Sequence, residues 1–192
     1  MYSFTSVTAN TSPVTREQFE QTGEDFTLAC SLTNEAYELA HTGRYADAER
    51  LHARSLQLKA GSVGLQHISV ATSYNGLGEA QMNLGRLDEA EDNLRKAITF
   101  REAFNQVYET ACSKESLAQV YEMRGDLAQA KEFRKQWGGK EIMVCSYSDC
   151  LRTKVIPFTG LRACSRCKSI YYCSPECQRG DWQRHKRYCK EQ

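Results

Sequence analysis

The sequence predicts an all-α chain, a helical-hairpin solenoid of three repeats, followed by a small cysteine-rich C-terminal module. Three observations predict it. Residues before 138 are rich in Ala, Leu, Glu, Gln and Arg, which are good helix formers, and the whole chain has 3 prolines. A signature of Gly, one residue, an aromatic or Leu, two residues and Ala returns three times, with periods of 42 and 40 residues. Seven of the 9 cysteines fall between residues 145 and 189.

Residues 1–26 are expected to form a flexible N-terminal tail, since they are rich in Thr and Ser and show no sustained apolar period. The stretch TREQFEQTGEDF can begin a short helix, which Gly23 is expected to interrupt. The opening MYSFTSVTANTSPVT has neither the basic start nor the apolar core of a signal peptide. No run of about 18 apolar residues exists, so no membrane span is expected.

The repeats occupy residues 27–139. They read LAHTGRYADAERLHARSLQL, AQMNLGRLDEAEDNLRKAITF and VYEMRGDLAQAKEFRKQW. Gly43, Gly85 and Gly125 align, as do Tyr45, Leu87 and Leu127, and Ala48, Ala90 and Ala130. Glycine permits the left-handed backbone that ends one helix, and alanine lets paired helices approach closely. Leu32, Ala36, Leu39 and Leu51, then Tyr74, Leu77 and Leu84, recur at helical spacing. Self-similarity at this period signals stacked helix pairs. The pattern resembles tetratricopeptide repeats, in the longer form found in kinesin light chains. Trp137 is expected to cap the last repeat, and Gly138 and Gly139 to end the solenoid.

No catalytic constellation forms within the repeats. His41, His52 and His67 are scattered and read as surface or packing residues, and Cys30 and Cys112 as small buried or groove-facing ones. Resemblance to chaperone-binding repeat proteins implies a clamp of Lys, Arg and Asn on the inner helices. At those positions this chain has Thr33, Tyr37, Gly76, Cys112 and Ser116, so the clamp is missing. The groove is expected to offer Tyr37, His41, Asn75, Glu79, Met82, Gln119 and Glu122 to a helix or an extended peptide.

The last module, residues 140–192, has its core at 145–189. Seven cysteines and one histidine stand in four pairs: Cys145 with Cys150, Cys164 with Cys167, Cys173 with Cys177, and His185 with Cys189. Closely spaced pairs let one turn supply two corners of a tetrahedron, and eight ligands complete two zinc sites. A disulfide framework expects a secreted chain, and core-filling cysteines would not crowd into a segment this rich in Lys and Arg. The spacing alone permits either sequential or interleaved sites.

The run CSRCKSIYYCSPECQRGDWQRHKRYC resembles the MYND-type zinc finger, marked by CxxC, YCSxxCQ, a Trp and HxxxC. The resemblance implies two cross-braced zinc ions. One is held by Cys145, Cys150, Cys173 and Cys177, the other by Cys164, Cys167, His185 and Cys189. The first pair departs from the family, with four residues between its cysteines where two are usual. Ser174, Pro175 and Glu176 predict a helix start, and a helix over 174–189 would set His185 and Cys189 on one face. The resemblance also implies a shallow groove formed by Ser165, Gln178 and Trp182 that takes a proline-rich peptide.

Charge divides the chain. Residues 1–140 carry 15 Lys and Arg against 19 Asp and Glu, and residues 141–192 carry 10 against 5. Seven thiolates and two zinc ions together contribute about −3, so the excess of basic residues largely offsets the metal sites. The expected function is a zinc-binding protein-interaction adaptor whose solenoid and finger both bind protein or peptide segments. No enzyme is expected, because fingers of this type beside a SET domain belong to lysine methyltransferases and no segment here supplies that domain. The alternatives are a transcription-associated regulator with weak nucleic-acid contact, or a non-catalytic accessory subunit of a methyltransferase-type complex. Nucleic acid finds support only in QRHKRYCK, which reads better as a solvated helix face. Free thiol ligands suit a reducing interior, cytoplasmic or nuclear.

Overall fold

The computed structural model describes residues 15–65, 67–138, 142–151 and 155–191. Six helices build the solenoid: α1 (Arg16–His41), α2 (Tyr45–Val63), α3 (Ile68–Asn83), α4 (Leu87–Ala103), α5 (Val107–Met123) and α6 (Leu127–Gly138). Each packs on the next in chain order, giving three stacked hairpins. The fold class is the one expected.

The expected tail is corrected over residues 15–26, which belong to α1 and its cap; residues 1–14 lie outside the described residues. Thr15 accepts from the Gln18 amide while the Gln18 side chain bonds the Thr15 amide, a reciprocal cap that starts the helix. Gly23 does not interrupt it. A glycine costs a helix interior about 1 kcal/mol, too little to break a capped helix of 26 residues.

The aligned glycines do what their position requires. Gly43, Gly85 and Gly125 have φ of 79°, 79° and 82° and follow α1, α3 and α5. In each turn two amide bonds close the helix end, as in Arg44 N to Leu39 O at 2.9 Å and Gly43 N to Ala40 O at 3.0 Å. Asn105, at φ 53°, closes α4 in the same way. Ala48, Ala90 and Ala130 are wholly buried between their paired helices. Leu84, expected on the apolar face, is 40% exposed because α3 ends one residue before it.

The repeat frame also carries polar groups inward. Ten residues before each turn glycine stands a buried polar side chain: Thr33, Asn75 and Glu115. Sixteen residues after the first two glycines stand buried cations, Lys59 and Arg101. Lys59 donates to Thr33 Oγ1 at 2.9 Å and to Ser73 Oγ at 3.1 Å, and Arg101 donates to Asn75 Oδ1 at 3.1 Å and Ser113 Oγ at 2.5 Å. Ser73 and Ser113 are equivalent positions, so each cation ties its own repeat to the next. Burial lowers the Lys59 pKa. His52 packs edge-on to Tyr37 and directly on Gly76, where a Cβ would lie 2.3 Å from the ring.

The expected groove is therefore partly corrected. Asn75, Met82 and Glu122 are buried, and Gln119 donates to the Ser146 carbonyl of the C-terminal module at 3.3 Å. The end of the groove is covered by that module. Gly138 closes α6, while Gly139 and the Trp137 side chain, on which the expected cap rested, lie outside the described residues.

The module is small and irregular. Antiparallel β1 (Ile142–Met143) and β2 (Ile156–Pro157) pair, as do β3 (Arg162–Ala163) and β4 (Tyr171–Tyr172), before α7 (Pro175–His185). Its core gathers Ile170, Tyr172 and four of the cysteines around Leu127, the first residue of α6.

Candidate metal centres

Two hairpins and one helix set the ligands. Cys164 and Cys167 stand in the turn after β3, tightened by Cys164 N to Ile170 O at 2.8 Å and Lys168 N to Cys164 O at 3.0 Å. Cys173 follows β4, and Cys177 lies in the first turn of α7. Ser174 caps that turn by accepting from the Cys177 amide at 3.3 Å, with Pro175 as the first helical residue. His185 ends α7.

The helix is shorter than expected, and this corrects how Cys189 reaches its site. Cys189 lies beyond α7, and its amide still bonds the His185 carbonyl at 3.0 Å, which returns its sulfur to the same cluster.

The four pairs interleave. Cys145, Cys150, Cys173 and Cys177 form one cluster, and Cys164, Cys167, His185 and Cys189 the other, with ligand atoms within 4.8 Å of one another in each. The sequential alternative is excluded. Asp149 is exposed and belongs to neither. No disulfide joins any of the described cysteines.

The spacing fits zinc. Tetrahedral arms of about 2.3 Å to sulfur and about 2.0 Å to nitrogen give edges of about 3.8 Å between sulfurs and about 3.5 Å between sulfur and nitrogen. Cys150 to Cys173 is 3.6 Å, Cys173 to Cys177 is 3.5 Å and Cys150 to Cys177 is 3.7 Å. In the other cluster Cys164 to Cys189 is 3.9 Å and Cys167 Sγ to His185 Nε2 is 3.5 Å. With Nε2 turned to the cluster, Nδ1–H of His185 donates to Glu122 Oε1 at 2.5 Å, an arrangement in which a carboxylate orients a metal-binding imidazole. Zinc bound here supplies two closed structural cross-links.

Glu122 comes from α5 and is fully buried. Burial alone would raise its pKa. The His185 hydrogen bond and the charges of Arg134 and Arg184 outweigh that and hold the carboxyl at about 2, so it stays ionised. Arg184 also grips Asp181 through two bonds of 2.7 and 2.6 Å, and Tyr172 Oη donates to Asp181 at 2.7 Å.

The residues expected to form a peptide groove are distributed as follows. Ser165 is exposed in the Cys164–Cys167 turn, Gln178 is half-buried on α7, and Trp182 one turn later is 38% exposed with its ring 6.1 Å from that of His185. Sequence reasoning places Glu122 in the open groove and passes over Arg134, Glu115 and Asp181. One signal is present for Arg134. It stands nine residues after Gly125, where the first two repeats carry His52 and Leu94, both buried.

The fold and the site define a helical-repeat protein bearing a closed, cross-braced two-zinc finger at its C-terminal end. Comparison with known families agrees: residues 145–189 match the MYND finger and residues 27–103 the tetratricopeptide repeat. N-lysine methyltransferase SMYD2-A of Danio rerio is 60% identical over 30 residues, 16% of this chain and 7% of that protein. A SET and MYND domain-containing protein of Dictyostelium discoideum is 43% identical over 53 residues, 27% of this chain and 9% of its own length. SET domain-containing protein 14 of Caenorhabditis elegans is 57% identical over 30 residues, again 16% and 7%. The chain thus matches under a tenth of the length of these relatives, within the finger and not the SET domain. Among the described residues, no helix is long and apolar enough to cross a membrane.

Proposed function

We propose that this protein is a non-enzymatic, intracellular adaptor whose finger captures an extended proline-rich peptide on Ser165, Gln178 and Trp182. The observation that carries the reading is the partly exposed indole of Trp182 on a helix clamped at both ends. Cys177 ties the start of α7 to the first cluster and His185 ties its end to the second. An indole held this way presents apolar area for proline rings without losing side-chain freedom on binding, and the nearby Gln178 amide suits a peptide backbone.

The coordination chemistry supports the absence of catalysis. Eight protein ligands fill two tetrahedra, while a catalytic zinc keeps a position open for water or substrate. Nucleic acid is disfavoured because Arg184, the first basic residue of QRHKRYCK, is committed to Asp181 and Glu122. The remaining groove residues Tyr37, His41 and Glu79 leave the solenoid free to hold a second protein segment.

Calorimetric titration with a proline-rich peptide tests the reading. Trp182→Ala is expected to weaken binding by about 2 kcal/mol, the scale of an aromatic hot spot, with zinc content unchanged. Unchanged affinity would refute the groove. Loss of zinc would show that Trp182 is core.

A further inference from the structure

The second metal cluster is backed by residues that the finger does not own. Glu122 Oε1 on α5 accepts from the ligand His185, and its other oxygen lies 3.5 Å from Arg134 of α6 and 3.4 Å from Arg184 of α7. Arg134 is 2% exposed. It grips Glu115 with bonds of 3.0 and 2.6 Å and donates through Nη1 to the Ser169 carbonyl at 2.8 Å. Ser169 in turn donates to the Cys167 carbonyl at 2.9 Å. Two ligands of one cluster are thereby fixed from the solenoid: His185 by Glu122, and the Cys167 turn by Arg134. The first cluster meets the solenoid differently, through the Gln119 bond to the backbone carbonyl of Ser146 beside Cys145.

We infer that Glu122 is a positioning residue for zinc at Cys164, Cys167, His185 and Cys189, so that loading this site and closing the last helical hairpin are one cooperative event. A metal-bound imidazole depends on an acceptor at its second nitrogen to fix its orientation and raise its basicity, and losing that acceptor lowers metal affinity about 10- to 100-fold. Here the acceptor belongs to the repeat domain. Formation of the α5–α6 hairpin therefore raises zinc affinity, and by linkage zinc stabilises that hairpin. The inference rests on zinc occupying the finger and is independent of what the finger binds.

The test uses the full chain. Zinc is competed against a chromophoric chelator for wild type, Glu122→Ala and Glu122→Gln, and cobalt(II) substitution separates the spectrum of the all-cysteine site from that of the site containing His185. Wild type is expected to hold two ions. Glu122→Ala should keep the ion of the all-cysteine site at wild-type affinity and bind the ion at His185 about 10- to 100-fold more weakly. Glu122→Gln retains an acceptor for Nδ1–H and should fall between them. Equal weakening of both sites, or of neither, overturns the inference, whereas a wild type without zinc overturns the metal assignment itself. Hydrogen exchange on wild type needs no variant to fold. Chelation should strip protection from α5 and α6 and spare α1 to α3, and unchanged protection in α6 overturns the coupling.

Discussion

Glu122 and His185 stand 63 residues apart in the sequence and 2.5 Å apart in the fold, one on the inner helix of the last repeat and the other among the metal ligands. That bond, with Arg134 beside it and Leu127 in the finger core, makes the finger the C-terminal cap of the solenoid. A stack of helical hairpins leaves an apolar face at each end that must be covered. Here the cover is itself built around two clusters of metal-ligating side chains.

Cys173→Ala is expected to lower zinc content from two ions per chain to one, because it removes a corner of the all-cysteine tetrahedron. Structural zinc contributes on the order of 10 kcal/mol to small modules, so the finger should loosen. Helices α1 to α4 have their own interfaces and should persist. Elemental analysis and circular dichroism check both parts, and loss of most helical signal would contradict them.

Arg134→Met should destabilise the chain by about 3 to 5 kcal/mol, since Glu115 and Glu122 would remain buried with their shared cation gone. Chemical denaturation measures it. A loss below about 1 kcal/mol would mean that the network does not join the two modules.

Lys59→Met should have the opposite sign. Lys59 is buried against hydroxyls and, among the described residues, has no bonded carboxylate, and Thr33, Ser55 and Ser73 keep hydrogen bonds among themselves without it. Replacing such a charge with an apolar side chain of similar length should raise stability by about 1 kcal/mol. A clear loss would show that the ammonium holds the first two repeats in register.

Acid should weaken the first hairpin through His52. Burial, helped by the Lys59 charge, lowers its pKa from 6.5 to about 4. The unfolded chain therefore binds the proton first. The His52 contribution is complete above pH 6.5 and is lost as pH falls toward 4, amounting to about 3 kcal/mol across that window. His52→Leu, which copies Leu94 of the second repeat, removes the dependence. The stability difference between wild type and variant, followed by denaturant titration, should change between pH 6.5 and 4 and stay flat above; a constant difference would contradict it.

The repeats and the metal ligands are legible in the chain alone, because both are written in local spacing. A left-handed turn needs Gly43, Gly85 and Gly125, close helix pairs need Ala48, Ala90 and Ala130, and a tetrahedron needs paired cysteines. Three-dimensional packing settles what spacing leaves open. Which pairs share a metal depends on how β3, β4 and α7 fold together, and the crossed pairing appears only once they do. Whether a charged helical residue faces water depends on its neighbour. Glu115, Glu122 and Arg134 have the composition of a solvated face, yet the finger docks on them and turns that face into a buried network that reaches a metal ligand. The continuity of α1 is settled the same way: its cap and its packing on α2 outweigh the small local penalty of Gly23, a balance between neighbours that no single residue encodes.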